Sequence, residues 1–402
     1  MSNWLTELVN QHKDFESPLS FWRWAGLAAI SAVVKDNIWI DRAGLFKQYP
    51  NIYVILYADS GLKKGAPIAM AKSLVSQVNN TKVINGRSSI QAIMKEISTS
   101  ETQPGGKIIN GATAFIAASE LSAAIVEDPA AFNLLTDLYD RSWNEHKYTS
   151  LLKQEKFSLA KPTISLLAGI NEAHAEVLFS NKDIKGGFLG RTFVIHESKR
   201  NRINSLIKRG ESPPNYNRLA EHLRELSKLR GEFENLDETR AGEIFNNWYI
   251  EFTTAIEQQR VADPTGTLNR FSESVIKVAM LLSLAEEAKL VISESAMLEA
   301  IKLCETLVGN VRKTTMGAGK SQWATHKALV IKELLLRDNH MISREQFMKK
   351  FWMHANSAEW DDIIRSLVEG GHVAIENQGN RVIFIMPDKA VDEWSKHFAG
   401  KN

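Results

Sequence analysis

The residues whose types and spacing could do chemistry in this sequence stand where apolar runs end. The run Ile52-Tyr53-Val54-Ile55-Leu56-Tyr57 is followed by Ala58-Asp59-Ser60-Gly61-Leu62-Lys63-Lys64-Gly65. A strand, a tight turn and a lysine opening a helix make a phosphate-binding loop. Backbone N–H groups at the helix start cradle phosphate oxygens, and the lysine neutralises the terminal ones. Against the pattern G-x-x-x-x-G-K-[ST], Lys64 takes the lysine position. Ala58 replaces the first glycine, Lys63 the second, and Gly65 the hydroxyl residue that holds magnesium. On the pattern alone, a strand–turn–helix with solvated lysines accounts equally for these residues. Gly317-Ala318-Gly319-Lys320-Ser321 ends in the right tripeptide, but Thr314 stands at its first glycine and a helical pattern precedes it, so it reads as linker.

Phosphoryl transfer to water needs a group that orients the water or takes its proton, at the end of a strand near the loop. Phe115-Ile116-Ala117-Ala118-Ser119-Glu120 supplies Glu120, with Ser119 where an aspartate for magnesium is usual. Asn171, after Thr163–Ile170, is placed like a polar sensor of the attacking water or terminal phosphate. Arg191, after Gly186-Gly187-Phe188-Leu189-Gly190, suits a finger that reaches a neighbouring subunit's nucleotide and stabilises transition-state charge. Arg270, before the helical run at Phe271, is a weaker nucleotide-sensing candidate. Each has a structural alternative: a helix-capping Ser-Glu pair, a turn asparagine, an arginine paired with a local carboxylate. Asp137 and Arg141 are spaced as a helical ion pair. The histidines show neither H-x-x-x-H nor H-E-x-x-H spacing, and no G-x-S-x-G is present.

The elements that must position these residues follow from periodicity. Residues 1–49 read as a mainly helical region, with Phe21, Trp22, Trp24, Leu27, Ile30 and Val34 at helical spacing and a short strand near Asn37–Asp41. Strands at Ile52–Tyr57, Ala112–Ala118, Thr163–Ala168 and Thr192–His196, separated by helical stretches such as Pro67–Val78, predict an α/β core over 50–200 with a mostly parallel sheet. Residues 201–318 read as an all-helical domain, and 313–323 as a small-residue linker. Residues 324–402 have the order helix–helix–helix–hairpin of a winged helix, with Ser343 and Ser357 as helix caps and Gly379-Asn380 as the hairpin turn.

The 402 residues carry 49 Lys and Arg against 47 Asp and Glu, a net +2, which excludes uniform coating of a polyanion. Sorted by segment, residues 199–230 hold nine bases, among them Lys199, Arg200, Arg202, Lys208 and Arg209, against three acids. A local basic surface of this kind suits a phosphate backbone; a solvated helical face is the plainer alternative. The third tail helix, Ser357–Glu369, carries Glu359, Asp361, Asp362 and Glu369 against Arg365, so it would be repelled by a DNA groove, and the tail reads as a docking module. A single cysteine, Cys304, excludes internal disulfides and points to a reducing compartment. No apolar run is long enough to span a bilayer, and no signal-peptide core is seen at the N-terminus, so a soluble intracellular protein is expected.

The stretch from about Trp22 to Lys199 resembles a family of phage, plasmid and mobile-element replication proteins that share a helicase-like P-loop ATPase, often associated with a primase. Pro50 to Leu56, Gly61-Leu62-Lys63-Lys64-Gly65, Ser119-Glu120-Leu121 and Gly186 to Phe193 carry the resemblance. In that family the loop reads basic-Lys-Gly-Thr, which Lys63-Lys64-Gly65 approaches; the threonine falls on Ala66, a departure that leaves no hydroxyl at 65 or 66 for magnesium. The resemblance implies a RecA- or AAA+-like core that takes ATP, with magnesium, at Ser60, Gly61, Lys63, Lys64 and Gly65. It further implies a homo-oligomeric ring, expected to be a hexamer, on single-stranded DNA in the cytoplasm of a bacterial host. Primase or other replication proteins would dock through the tail. The rival expectation is a hydrolysis-weak initiator or adaptor that keeps the fold as an oligomerisation scaffold.

Overall fold

The computed structural model describes residues 3–78, 81–85, 89–98, 112–121, 128–140, 148–150, 157–159, 162–171, 174–175, 187–203, 214–259, 267–318, 322–351, 357–378 and 381–399. The chain forms two compact units, Met1–Thr315 and Met316–Asn402. In the first, the strands are β1 (Ile38–Arg42), β2 (Phe46–Gln48), β3 (Tyr53–Tyr57), β4 (Val83–Asn85), β5 (Thr113–Ala118), β6 (Tyr148–Ser150), β7 (Phe157–Leu159), β8 (Thr163–Ile170), β9 (Thr192–His196) and β10 (Gly231–Glu232). Its helices are α1 (Trp4–Gln11), α2 (Leu19–Val34), α3 (Gly65–Ser76), α4 (Ile90–Ser98), α5 (Pro129–Tyr139), α6 (Tyr216–Leu226), α7 (Arg240–Gln259), α8 (Phe271–Glu286) and α9 (Glu294–Ala318).

The architecture is α/β. Five strands in the order β4-β5-β8-β3-β9 make an all-parallel sheet. Parallel pairing demands crossover connections and covers both sheet faces, which is why β8 is buried at every position. The chain moves outward from β3 to β4, then back through β5 and β8 and past β3 to β9. With right-handed crossovers, that reversal puts α3 on one face and α5, between β5 and β8, on the other.

Helix α2 lies with α3, packed on it and on β3, β8 and β9. It buries Phe21, Trp22, Trp24 and every residue from Ala25 to Val34, as a helix apolar all round must. Ser31 is its polar tie to the sheet. Its hydroxyl lies 2.7 Å from that of Ser165 in β8 and accepts the Ile52 N–H at 3.2 Å. One hydrophobic cluster runs from Trp4 through α2 and the sheet to α8 and Leu307 of α9, joining the segments 1–49, 50–200 and 201–318 in a single core.

β3, β5, β8 and β9 match the four expected core strands; β4, three residues long, left no periodic signal. The expected linker at 313–323 contains the boundary between the two units, at Thr315 and Met316, but its first part is helical and not an irregular break. Helix α9 continues through 313–318 to Ala318, and α10 (Gln322–Leu335) begins at Gln322. Gly317 costs a helix about 1 kcal/mol, too little to end one.

The second unit continues from α10 with β11 (Met341–Ser343), α11 (Arg344–Phe351), α12 (Ser357–Glu369), β12 (Ala374–Gln378), β13 (Arg381–Ile385) and α13 (Asp388–Ala399). The antiparallel order is β11-β13-β12. Phe347, Trp360, Ile363, Ile364 and Phe384 fill its core. Ser343 caps α11 by accepting the Gln346 N–H at 3.2 Å. No described helix is long and apolar enough to cross a membrane.

Gly169 near the end of β8 is fixed by close approach: a Cβ there would stand 2.3 Å from the Ser119 carbonyl oxygen. Backbone cannot give way as a side-chain tip can, so Gly169→Ala is expected to cost about 1–3 kcal/mol. Urea denaturation measures the loss, and parental stability in the variant would contradict the packing of β5 on β8.

Candidate functional site

All five sheet strands point the same way, so their carboxyl ends form one edge. Register sets what stands there: Tyr57 pairs with Ile170 and with His196, and Ala118 pairs with Ala168. Ser119 and Glu120 therefore emerge beside Gly169–Asn171, with the 58–64 loop one strand further along. Parallel strands lie about 4.8 Å apart, which puts the ends of β3 and β5 roughly 10 Å from each other across β8.

The loop after β3 is shaped by two residues in the left-handed region, Gly61 at φ +94° and Lys63 at φ +57°. Lys63 bears a Cβ in that conformation, so it is held by its surroundings. The turn then opens directly into α3, with Pro67 in the first turn where a missing N–H is harmless. Lys64 folds back into the loop and donates to the carbonyls of Ala58 and of Asp59, the latter at 3.2 Å. Burial lowers its pKa, opposed by the negative charges of Glu120 and Asp59. Glu120 thus acts electrostatically on the loop lysine, although 56 positions separate them in sequence.

Asn171 donates through Nδ2 to Glu120 Oε1 and accepts the His174 N–H at 3.0 Å. The Leu121 N–H donates to Gly169 O at 2.8 Å and fixes the chain after Glu120. Lys64, Glu120 and Asn171 thus share the carboxyl edge, with Ser60, Gly61, Lys63 and Gly65 on the loop. A Cβ on Gly65 would lie 3.8 Å from Ser119 Cβ and 3.9 Å from its hydroxyl oxygen, so Ser119 presents a hydroxyl beside the start of α3. Tyr57 and His196, cross-strand neighbours, stack with ring centroids 4.6 Å apart at this edge. The sequence carried no signal for that pair.

Arg191 is not brought to this edge. It precedes β9, at the amino end of the sheet, roughly 15 Å of strand away. There it pairs with Asp140 through Nε at 2.9 Å and through Nη2, and donates from Nη1 to Gly187 O at 3.1 Å. The local carboxylate partnership is the arrangement seen. Arg270 also belongs to the amino edge, since the adjoining Phe271 and Ser274 line a small cavity with Gly190 and Thr192. Asp137 is exposed on α5; Arg141 and Gly186 lie outside the described residues.

The basic segment changes character in three dimensions. Arg200 pairs with Glu16 at 3.1 Å, Arg202 with Asp14 at 2.6 Å, and Arg218 with Glu7 at 3.4 Å. Lys199 is exposed, while Lys208 and Arg209 lie outside the described residues. Acids of the N-terminal segment, about 200 positions distant, thus offset part of the local excess. The tail repeats the theme: Lys350 bonds to the buried carboxylate of Glu333, Lys349 to Glu345, and Arg344 to Asp361. Trp360 is a core residue and Trp352 lies outside the described residues.

The class defined by this geometry is an α/β protein with a charged site at the carboxyl edge of a five-stranded parallel sheet. Compared with known proteins, the chain matches no family model and no curated protein sequence.

The amino edge holds a second polar cluster, built around Lys277 of α8. Its ammonium donates to Asn51 O at 3.1 Å and Oδ1 at 2.7 Å and sits 3.9 Å from the Tyr139 ring centre. Burial depresses its pKa to about 7, with Asp140 and Glu273 opposing and Arg191 reinforcing the shift. The unfolded chain keeps this proton up to about pH 10.5, so between pH 7 and 10.5 the unfolded state binds more protons. The Lys277 contribution to stability is therefore expected to rise with pH across that window. Denaturant titrations of wild type and Lys277→Met at several pH values check this; a stability difference that stays flat or falls would contradict it.

Proposed function

We propose that this chain is a helicase-like P-loop ATPase, a nucleotide-driven motor acting on single-stranded DNA in phage or mobile-element replication. The observation that carries the reading is the convergence of Lys64, Glu120 and Asn171 on one edge of three adjacent parallel strands. Open parallel sheets bind ligands outside their carboxyl ends, where the connections of neighbouring strands diverge to opposite faces. The strand order supports such a site, since β3 is followed by β4 on one side of the pair and β8 by β9 on the other.

In this reading the N–H groups at the start of α3 hold the phosphates of ATP, and Lys64 exchanges its carbonyl partners for the β- and γ-phosphate oxygens. Such charge-assisted bonds are stronger than the neutral ones released. Glu120 accepts the proton of, or orients, an attacking water in the space left by the intervening strand, and Asn171 fixes the carboxylate. Ser119 would supply the magnesium ligand that residues 65 and 66 lack. When bound, magnesium would neutralise charge developing on the β- and γ-phosphate oxygens. The tail's order of helix, strand, two helices and hairpin supports a winged-helix module, and its paired surface charges favour protein docking, for example of a primase. A ring, such as a hexamer, belongs to the same reading.

The second reading, a hydrolysis-weak adaptor or initiator, is favoured by the missing hydroxyl at 65 and 66, by Arg191 being engaged with Asp140, and by the neutralised arginines of the basic segment.

DNA-stimulated ATP hydrolysis of wild type, Lys64→Ala and Glu120→Gln separates the two. The motor reading expects magnesium-dependent turnover that falls about 100-fold or more in both variants. No turnover in the wild type removes it in favour of the adaptor, and equal turnover in all three shows the site to be elsewhere.

Gly65 has an ordinary φ, and a Cβ there would make ordinary van der Waals contact with Ser119, so Gly65→Ser is expected to fold with stability within about 0.5 kcal/mol of the parent. Because Ser119 would already supply the metal ligand in this reading, the variant's magnesium-dependent turnover is expected to stay near the parental rate, whereas Ser119→Ala should lose most of it. A severalfold rise in Gly65→Ser, or an unchanged rate in Ser119→Ala, would argue that Ser119 does not hold the metal.

A further inference from the structure

We infer that Arg200 is a terminal-phosphate ligand of the same chain's nucleotide site, held in waiting by Glu16. The inference rests on the phosphate-loop reading above and adds a residue that the loop pattern does not contain. β9 pairs with β3, the strand that leads into the loop, and the Glu197 N–H donates to Tyr57 O at 3.1 Å, extending that pairing beyond β9. Three residues later, Arg200 Nη2 stands 3.8 Å from where a Cβ on Gly61 would project. The guanidinium therefore lies against Gly61, in the middle of the 58–64 loop.

This placement is built from both sides. Just after Arg200, the Asn201 N–H donates to Glu16 O at 3.0 Å, and its side-chain amide donates to Lys13 O at 2.7 Å and Phe15 O at 3.1 Å. On the near side, the Ser20 hydroxyl donates to Glu197 at 2.6 Å. The N-terminal segment thus clamps residues 197–201 against the loop and brings one carboxylate, Glu16, to Arg200 at 3.1 Å. The arginine side chain is 44% exposed while that of Glu16 is only 13% exposed, so the guanidinium can reach an incoming ligand from the solvent side of the pair. Two oxygens of a tetrahedral terminal phosphate make a forked target that a planar guanidinium binds bidentately, which an ammonium cannot do. Ligand binding would then pull Arg200 from Glu16 towards the phosphate. Arg200 supplies from within the chain the cation that Arg191, engaged with Asp140 at the opposite edge, does not bring to this site.

The test is an equilibrium titration of the full chain with a fluorescent non-hydrolysable ATP analogue and with the matching ADP. Arg200→Ala is expected to weaken the triphosphate about tenfold and the diphosphate less than about threefold, with an unchanged thermal unfolding midpoint. Arg200→Lys should recover part of the loss. Glu16→Gln, which removes the competing carboxylate, should tighten triphosphate binding about threefold. Equal weakening of both nucleotides, or none, in Arg200→Ala overturns the assignment while Lys64→Ala still abolishes binding. Wild type that binds neither nucleotide overturns the phosphate-site reading, and this inference with it. If Arg200→Ala does not fold, Arg200→Lys and Glu16→Gln carry the comparison; unchanged triphosphate affinity in both overturns it.

Discussion

From Ala25 to its end, helix α2 has no face for water, and the first unit is arranged around that constraint. From Ala25 to Val34 every residue is buried, together with Phe21, Trp22 and Trp24. Each large side chain removed from water contributes about 1.5–3 kcal/mol, so partners must enclose the helix on all sides. Helices α1, α3, α6 and α8 and the strands β3, β8 and β9 do so. The two serine hydroxyls at Ser31 and Ser165, bonded to each other, satisfy polar groups that burial would otherwise penalise. They also fix the helix along the strand direction, which packing of smooth apolar surfaces would leave free to slide.

Enclosure of α2 has a consequence at the edge of the sheet. Because α2 covers β3, β8 and β9 together, these strands are held parallel and flush, and their carboxyl ends emerge at one level. The loop, Glu120 and Asn171 need no further device to meet. Gly169 completes the arrangement by letting the Ser119 carbonyl approach the β8 backbone, where any side chain would force the strands apart. The same parallel geometry separates Arg191 from the loop. A residue that precedes a strand and one that follows its neighbour stand at opposite edges, however close the two strands lie.

Charge is distributed by the same logic of long-range pairing. The arginines at 200, 202 and 218 look like an unopposed basic stretch along the chain, yet Glu16, Asp14 and Glu7 meet them in space. At the amino edge, Arg191, Asp140, Glu273 and Lys277 form a group in which a lysine is buried with a depressed pKa. A buried charge of this kind weakens the fold unless partners compensate, and here Asn51 and the Tyr139 ring do so in part.

The amino-acid sequence by itself determined the elements whose information is local. The apolar runs that become β3, β5, β8 and β9 and the loop lysine were legible, because strand periodicity, turn residues and a lysine at a helix start are short-range patterns. The acid at 120 and the amide at 171 were legible as chain ends of strands. It did not determine β4, too short for a period, or the helix through 313–318, where small residues and one glycine mimic a linker. Nor did it decide which cations face which anions. Tertiary structure decided that Arg191 meets Asp140 and that Arg200 stands between Glu16 and the 58–64 loop. Strand order and register set those distances, and both come from contacts between residues up to about 200 positions apart, whose pairing no local pattern encodes.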